Sequence, residues 1–298
     1  MRTRILITDG KGSFKEGGWE KPDHTEDEIA VKAVMTGICR SDIDMMNGDF
    51  GPLPIEMQGH EGLAKVLHVG KNIKDVYIGD YVATRGEPAY ADYYNVRKNE
   101  YVVVPSADPK YILEPVACGV NLIAQDLDAY GSREGPGKRL LIMGSGFLAW
   151  VAYNTLKFNE FEFDITVYGH SNKELWGDVL QDQYAGTFDV VIDLSSNTDL
   201  FDKNIVNNGA LVVFGVQKQV TTDFGSLLWK ACTMMFPSPR QPKFINTMEQ
   251  AKYMIENGVL DVDNFWTKGY NRDTEWQQAF ADGQNRPKGY SRGYIKWD

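Results

Sequence analysis

Cys39, His60 and Glu61 offer three different donor atoms to a metal: a thiolate sulfur, an imidazole nitrogen and a carboxylate oxygen. That set suits zinc, and three protein ligands with one position left open is the arrangement of a catalytic site. The neighbouring residues extend the chemistry. The run Cys39-Arg40-Ser41-Asp42 supplies in order a ligand, a cation for a phosphate, a hydroxyl for a proton path and a carboxylate able to fix the tautomer of an imidazole. Gly59 precedes His60, where the backbone can turn sharply.

A second constellation begins at Arg139. The apolar run RLLIM over residues 139–143 has the pattern of a strand buried in a parallel sheet. Gly144-Ser145-Gly146-Phe147-Leu148-Ala149 follows it and opens a helical stretch expected over 149–158. The first glycine permits a tight turn, the second lets backbone approach a pyrophosphate, and the small Ala149 allows close helix packing. The helix N-terminus adds unsatisfied N–H groups for the phosphates. Residues 164–168 read as the next strand. Where an NAD-binding chain usually carries an acid for the ribose hydroxyls, this one has Gly169-His170-Ser171-Asn172-Lys173. Glycine leaves space there and the following side chains can donate to a 2′-phosphate, so NADP(H) is expected over NAD(H). The plain alternative is a polar loop that starts a helix.

Together, CRSD, GHE, the run from Val69-Gly70 to Gly79-Asp80-Tyr81-Val82, Glu114-Pro115 and the dinucleotide fingerprint resemble the zinc-containing alcohol and polyol dehydrogenases of the medium-chain dehydrogenase/reductase family. They stand in the family's order over most of the chain. Ala64 departs from the usual glycine three residues after Glu61, which should alter local packing rather than the ligands. The resemblance implies an α/β chain: a GroES-like, mostly-β catalytic domain over 1–122 and 241–298, and a trimmed Rossmann domain, a doubly wound parallel sheet, over 123–240. It implies hydride transfer between a nicotinamide cofactor and an alcohol, polyol or sugar. A zinc-free quinone or enone reductase of the same fold and a non-catalytic nucleotide sensor are the alternatives.

The resemblance also assigns roles. One catalytic zinc would be held by Cys39 and His60, with Glu61 or Glu114 completing the set. Zn²⁺ with a Cys39 thiolate, neutral His60 and one carboxylate is neutral overall. A second bound carboxylate would weaken the metal as a Lewis acid, so one glutamate is expected on the metal and the other on its water. Polyol-type members favour Glu61 as the ligand. Arg40 would meet the cofactor pyrophosphate, Ser41 would begin proton removal and Asp42 would stand behind His60. Cys118 is close enough to Glu114 to be a rival ligand and reads better as core. The four-cysteine lobe that holds a structural zinc in many members should fall between Asp80 and Tyr90, where no cysteine stands, so no structural zinc is expected. Met45, Met46, Phe50 and Leu53 are candidate substrate-pocket residues.

These groups need elements to carry them. Residues 4–8, 28–36, 62–69, 81–83, 90–96 and 100–105 read as strands, with 10–18 a glycine-rich loop. Later strands are expected over 189–194, 210–216 and 290–297, with a turn at 207–209. Helices are expected over 120–130, 247–257 and 274–283. Residues 233–236 read as a sheet edge through which a homodimer would form, and 237–242 as a linker. His24 and His68 read as surface or strand residues, and Cys232 as sheet core.

The chain has 298 residues, of which 43% are hydrophobic, enough for two moderate domains. Its net charge of −10 argues against a nucleic-acid partner. No apolar run approaches the ~18 residues of a membrane span, and MRTRILITDG lacks the apolar stretch of a secretion signal. Three scattered cysteines make no disulfide framework. A reducing, cytoplasmic location and a small-molecule partner are expected.

Overall fold

The computed structural model describes residues 1–51, 53–195, 205–215 and 224–297. The chain divides into two compact units, Met1–Pro115 with Met248–Asp298, and Val116–Thr247. Both divisions fall within helices, Leu113–Ala124 and Phe244–Glu256. The elements in the first stretch are β1 (Arg2–Thr8), β2 (Phe14–Glu20), β3 (Glu28–Gly37), α1 (Arg40–Asn47), β4 (Glu61–Val69), β5 (Tyr81–Arg85), β6 (Tyr93–Arg97) and β7 (Tyr101–Val104). Then come α2 (Leu113–Ala124), α3 (Leu127–Gly131), β8 (Arg139–Met143), α4 (Phe147–Phe158), β9 (Asp164–Tyr168), α5 (Lys173–Trp176) and β10 (Leu180–Gln181). The rest are β11 (Phe188–Asp193), β12 (Val206–Phe214), α6 (Phe224–Trp229), β13 (Thr233–Met235), α7 (Phe244–Glu256), β14 (Trp266–Asn271), α8 (Trp276–Asn285) and β15 (Arg292–Lys296).

The first unit is built on β3. Its core-facing residues Ile29, Val31 and Ala33 are buried, and it pairs antiparallel with β4, β6 and β15. The sheet runs β14-β15-β3-β4-β5-β7. Beside it β1 and β2 form an antiparallel hairpin. The loop expected over 10–18 is therefore corrected, since a strand begins at Phe14. Its glycines suit that pairing, because a Cβ at Gly17 would stand 3.0 Å from Ile7 Cδ1. Phe14 stacks on Phe280 of α8 with ring centres 3.9 Å apart, and Tyr90 meets both rings edge-on. Strand β14 was not legible in the sequence. WTKGYN buries one residue, Tyr270, and so lacks alternation; parallel pairing with β15 makes it a strand.

The second unit holds a six-stranded sheet, β10-β9-β8-β11-β12-β13, parallel throughout. This is the doubly wound order, reversing between β8 and β11, and ligands of such sheets bind outside the carboxyl ends at that reversal. Strand β8 shows why its run is apolar on both faces: Leu140 and Ile142 pack with Ala149, Ala152 and Leu156, while Leu141 and Met143 pack with Val191 and Val212. Helix α2 begins at Leu113 rather than at 120, because proline is tolerated in a first turn and Val116, Ala117 and Val120 bury one continuous face. The turn expected at 207–209 lies inside β12, where Val206 already pairs with Phe188. The strand expected over 210–216 ends at Phe214, and Val216 lies outside the described residues.

Candidate active site

Strand β3 delivers the chain through Gly37 to Cys39, the residue before α1, and β4 begins at Glu61. Between them Gly59 takes φ +75°, and a Cβ there would lie 2.5 Å from the Tyr90 ring. Only glycine turns the backbone there without moving Tyr90. The donor atoms of Cys39, His60 and Glu61 lie within 4.8 Å of one another, the one such group of three among the described residues.

Asp42 sits on the first turn of α1, fully buried. Its Oδ2 accepts from the Cys39 backbone N–H at 2.8 Å and from the Tyr90 hydroxyl at 2.8 Å. Its Oδ1 has no hydrogen-bond donor and faces His60 Nδ1 across 3.5 Å. A carboxylate behind a histidine in this manner fixes the ring for metal binding. Glu61 is also fully buried, and Arg292 Nη2 donates to its two oxygens at 2.6 and 2.5 Å. Glu114 is buried on the first turn of α2 and acts electrostatically on His60 and Arg292. It lies outside the three-donor group. Ser41 is half-buried on the first turn of α1, and the half-exposed Arg40 pairs with Asp44 at 3.0 Å. Of the candidate pocket residues, Met46 is corrected to core, packed with Ile38 and Ile43. Cys118 belongs to the second unit.

The electrostatics follow from burial. Burial and the Glu61 carboxylate push the Cys39 thiol up, against the lowering contact with His60. Burial pushes the Asp42 carboxyl up. Burial works against an imidazolium at His60, but Asp42 and Cys39 outweigh it and hold its pKa well above the usual range. The net of burial and neighbouring negative charge thus favours the protonated forms of Cys39, Asp42 and His60, so the cluster calls for positive charge. A divalent cation would supply that positive charge and expel the protons, so this donor set fits zinc. Sequence reading missed Arg292, which lies 231 residues from Glu61. It also missed Arg286, whose pKa is lowered by burial and by the neighbouring charges of Arg292 and Arg40.

In the second unit Gly144 takes φ +123° and Gly146 stands before α4. Phe147 is buried and Leu148 half-buried at the start of that helix. Ser145 ties this turn to the loop after β9: its Oγ lies 2.9 Å from Ser171 Oγ and accepts from the Ser171 N–H at 3.1 Å. Its carbonyl accepts from Asn172 and from the Trp176 indole, each at 3.1 Å. A Cβ at Gly169 would lie 2.4 Å from Ser145 Oγ, so no acid fits at that position. His170 and Lys173 both face Asp182.

Residues 25–108 match the alcohol dehydrogenase GroES-like domain. The chain as a whole is similar to alcohol and polyol dehydrogenases of the medium-chain dehydrogenase/reductase family. An Enterococcus avium D-arabitol-phosphate dehydrogenase is 24% identical over 87% of this chain and 87% of its own. A Medicago sativa protein described as a probable mannitol dehydrogenase is 26% identical over 56% of each chain. An Escherichia coli oxidoreductase/dehydrogenase of unknown specificity shares the fold with a TM-score of 0.80, at 21% identity over 99% of both chains. Other proteins of this fold were solved with NADH or with NADPH. Among the described residues no helix is long and apolar enough to cross a membrane.

Proposed function

We propose that this dehydrogenase is zinc-dependent and moves a hydride between a nicotinamide cofactor and an alcohol, polyol or sugar, acting as a homodimer in the reducing cytoplasm. The convergence of the Cys39, His60 and Glu61 donor atoms within 4.8 Å carries this reading. Zinc held there would supply Lewis-acid polarisation of the substrate oxygen. The surrounding residues have separate tasks. Asp42 faces Nδ1 of His60, which leaves Nε2 for the metal. Arg292 offsets the charge of Glu61 and fixes its carboxylate. Glu114 stays off the metal and orients a water. Ser41 receives the substrate hydroxyl proton and passes it toward solvent. Gly144, Ser145, Gly146, Phe147 and Leu148 form the turn that receives the cofactor pyrophosphate.

For the cofactor we favour NADP(H) over NAD(H). The loop from Gly169 to Lys173 carries no acid, and Ser145 excludes one from position 169. The fold itself accepts both, as its NADH and NADPH complexes indicate.

Metal analysis of dialysed protein, joined to a panel of alcohols, polyols and sugars with each cofactor, tests the whole reading. The expected result is one zinc per chain and turnover of at least one substrate class. Cys39→Ala should lose the metal and lower turnover by at least roughly a hundredfold. Reduction of quinones or enones by zinc-free protein would favour the zinc-free alternative. Stoichiometric zinc and cofactor binding without turnover would favour a sensor.

A further inference from the structure

The segment between β9 and β11 spans residues 169–187. Strand β10 has two residues, Leu180 and Gln181, paired in parallel with Val167 and Tyr168. The Gly169 N–H points to the Gln181 carbonyl at 3.4 Å, so Asp182 leaves the sheet beside Gly169, one strand over. Neighbouring strands stand about 4.8 Å apart, which brings the Asp182 side chain within reach of the loop after β9. Its carboxylate oxygens lie 3.2 and 3.3 Å from Lys173 Nζ and 3.4 Å from His170 Nδ1. Lys173 and His170 in turn hold the Asp182 carboxyl below its usual range. Asp182 is 62% exposed, so an incoming ligand can reach all three groups.

We infer that Asp182 sets the choice between NADP and NAD, by competing with the 2′-phosphate for Lys173 and His170. The inference rests on the nicotinamide reading above and refines it. The acid that cannot stand at position 169 is supplied by the end of the next strand. With NADP, the phosphate takes Lys173 and His170 from Asp182 and lies near its negative charge. With NAD, Asp182 keeps its partners and can accept from the ribose hydroxyls. The choice is a balance rather than an exclusion, and because every partner is exposed it weakens with salt.

The test is titration of the full-length protein with NADP and with NAD, at low and high salt, for wild type, Asp182→Asn, Lys173→Gln and the double variant. Asp182→Asn should tighten NADP roughly tenfold and leave NAD unchanged or weaker. Lys173→Gln should weaken NADP alone, the double variant should lose most of the gain, and high salt should shrink it. If Asp182→Asn moves both cofactors equally, or neither, while Lys173→Gln selectively loses NADP, then Asp182 is not the determinant although the loop still reads the phosphate. If wild type binds neither cofactor, the nicotinamide reading and this inference fall together.

Discussion

Position 169 shows how one missing side chain decides what its neighbours can do. An aspartate there would seem the natural way to convert the chain to NAD. The close approach of Ser145 forbids it, since even a methyl group would lie 2.4 Å from its hydroxyl. Ser145 cannot easily yield, because its hydroxyl and carbonyl between them bind Ser171, Asn172 and Trp176. Gly169→Asp should therefore weaken both cofactors together and destabilise the protein by about 1–3 kcal/mol, the usual cost of overpacking. Paired cofactor titrations and thermal melts check this. A variant that binds NAD more tightly with an unchanged melting temperature would show that the turn relaxes at little cost. Glu61 illustrates the same dependence in the metal centre. Its carboxylate is tolerable in a buried position because Arg292 meets it, and Gly37 leaves room for it, since a Cβ at Gly37 would overlap its Oε2.

At the scale of elements, α8 and β14 are joined through Asp282. This buried carboxylate accepts from the Tyr270 hydroxyl at 2.6 Å, Lys268 Nζ at 2.9 Å and Gln278 Nε2 at 2.6 Å. Burial alone would raise its pKa, but the bonds from Tyr270, Lys268 and Gln278 outweigh it and hold the carboxyl below its usual value. A depressed folded pKa contributes stability that is present above the unfolded value of about 3.9 and is lost as pH falls through the folded one. Asp282→Asn should cost about 1–3 kcal/mol at neutral pH, and its difference from wild type should shrink as pH falls below about 4. Denaturant melts at several pH values measure this, and a difference independent of pH would contradict the ionised network. Elements of this kind were the hardest to read from sequence. Strands β8 and β9 were legible to the residue because both faces of β8 are buried and turn residues bound them. Strands β2 and β14 were not, because their pairing partners rather than their own patterns make them strands. The site divides in the same way. Cys39, Asp42, His60 and Glu61 stand in two short runs whose residue types announce their chemistry. Arg292, Tyr90 and Asp182 acquire their partners only when distant or neighbouring strands come together, so no local pattern marks them.

At the scale of the whole molecule, assembly turns on the sheet of the second unit. Among the described residues β13 forms its edge, with β12 on one side and no strand on the other. An unprotected edge invites pairing with another chain. Apolar surface gathers beside it in sequence: Leu228 is 81% exposed, Trp229 92% and Phe236 61%, with Phe224 and Met234 also exposed. The homodimer proposed above would cover this face with a second copy of the chain. In such a dimer two β13 edges related by a twofold axis would pair antiparallel, and each copy would present the same apolar residues to the other. The net charge of −10 on each chain opposes association, so apolar contact must provide the attraction and added salt should tighten the dimer. We expect sedimentation at micromolar concentration to give a dimer. Trp229→Ala should weaken it by about 2–4 kcal/mol, roughly thirty- to a thousandfold. Met234→Lys, which puts a charge on the edge strand itself, should act in the same direction. Both side chains are solvent-exposed, so thermal melts extrapolated to low protein concentration should show the monomer fold intact. A wild-type monomer under these conditions, or a dimer indifferent to both substitutions, would place the interface elsewhere or remove it.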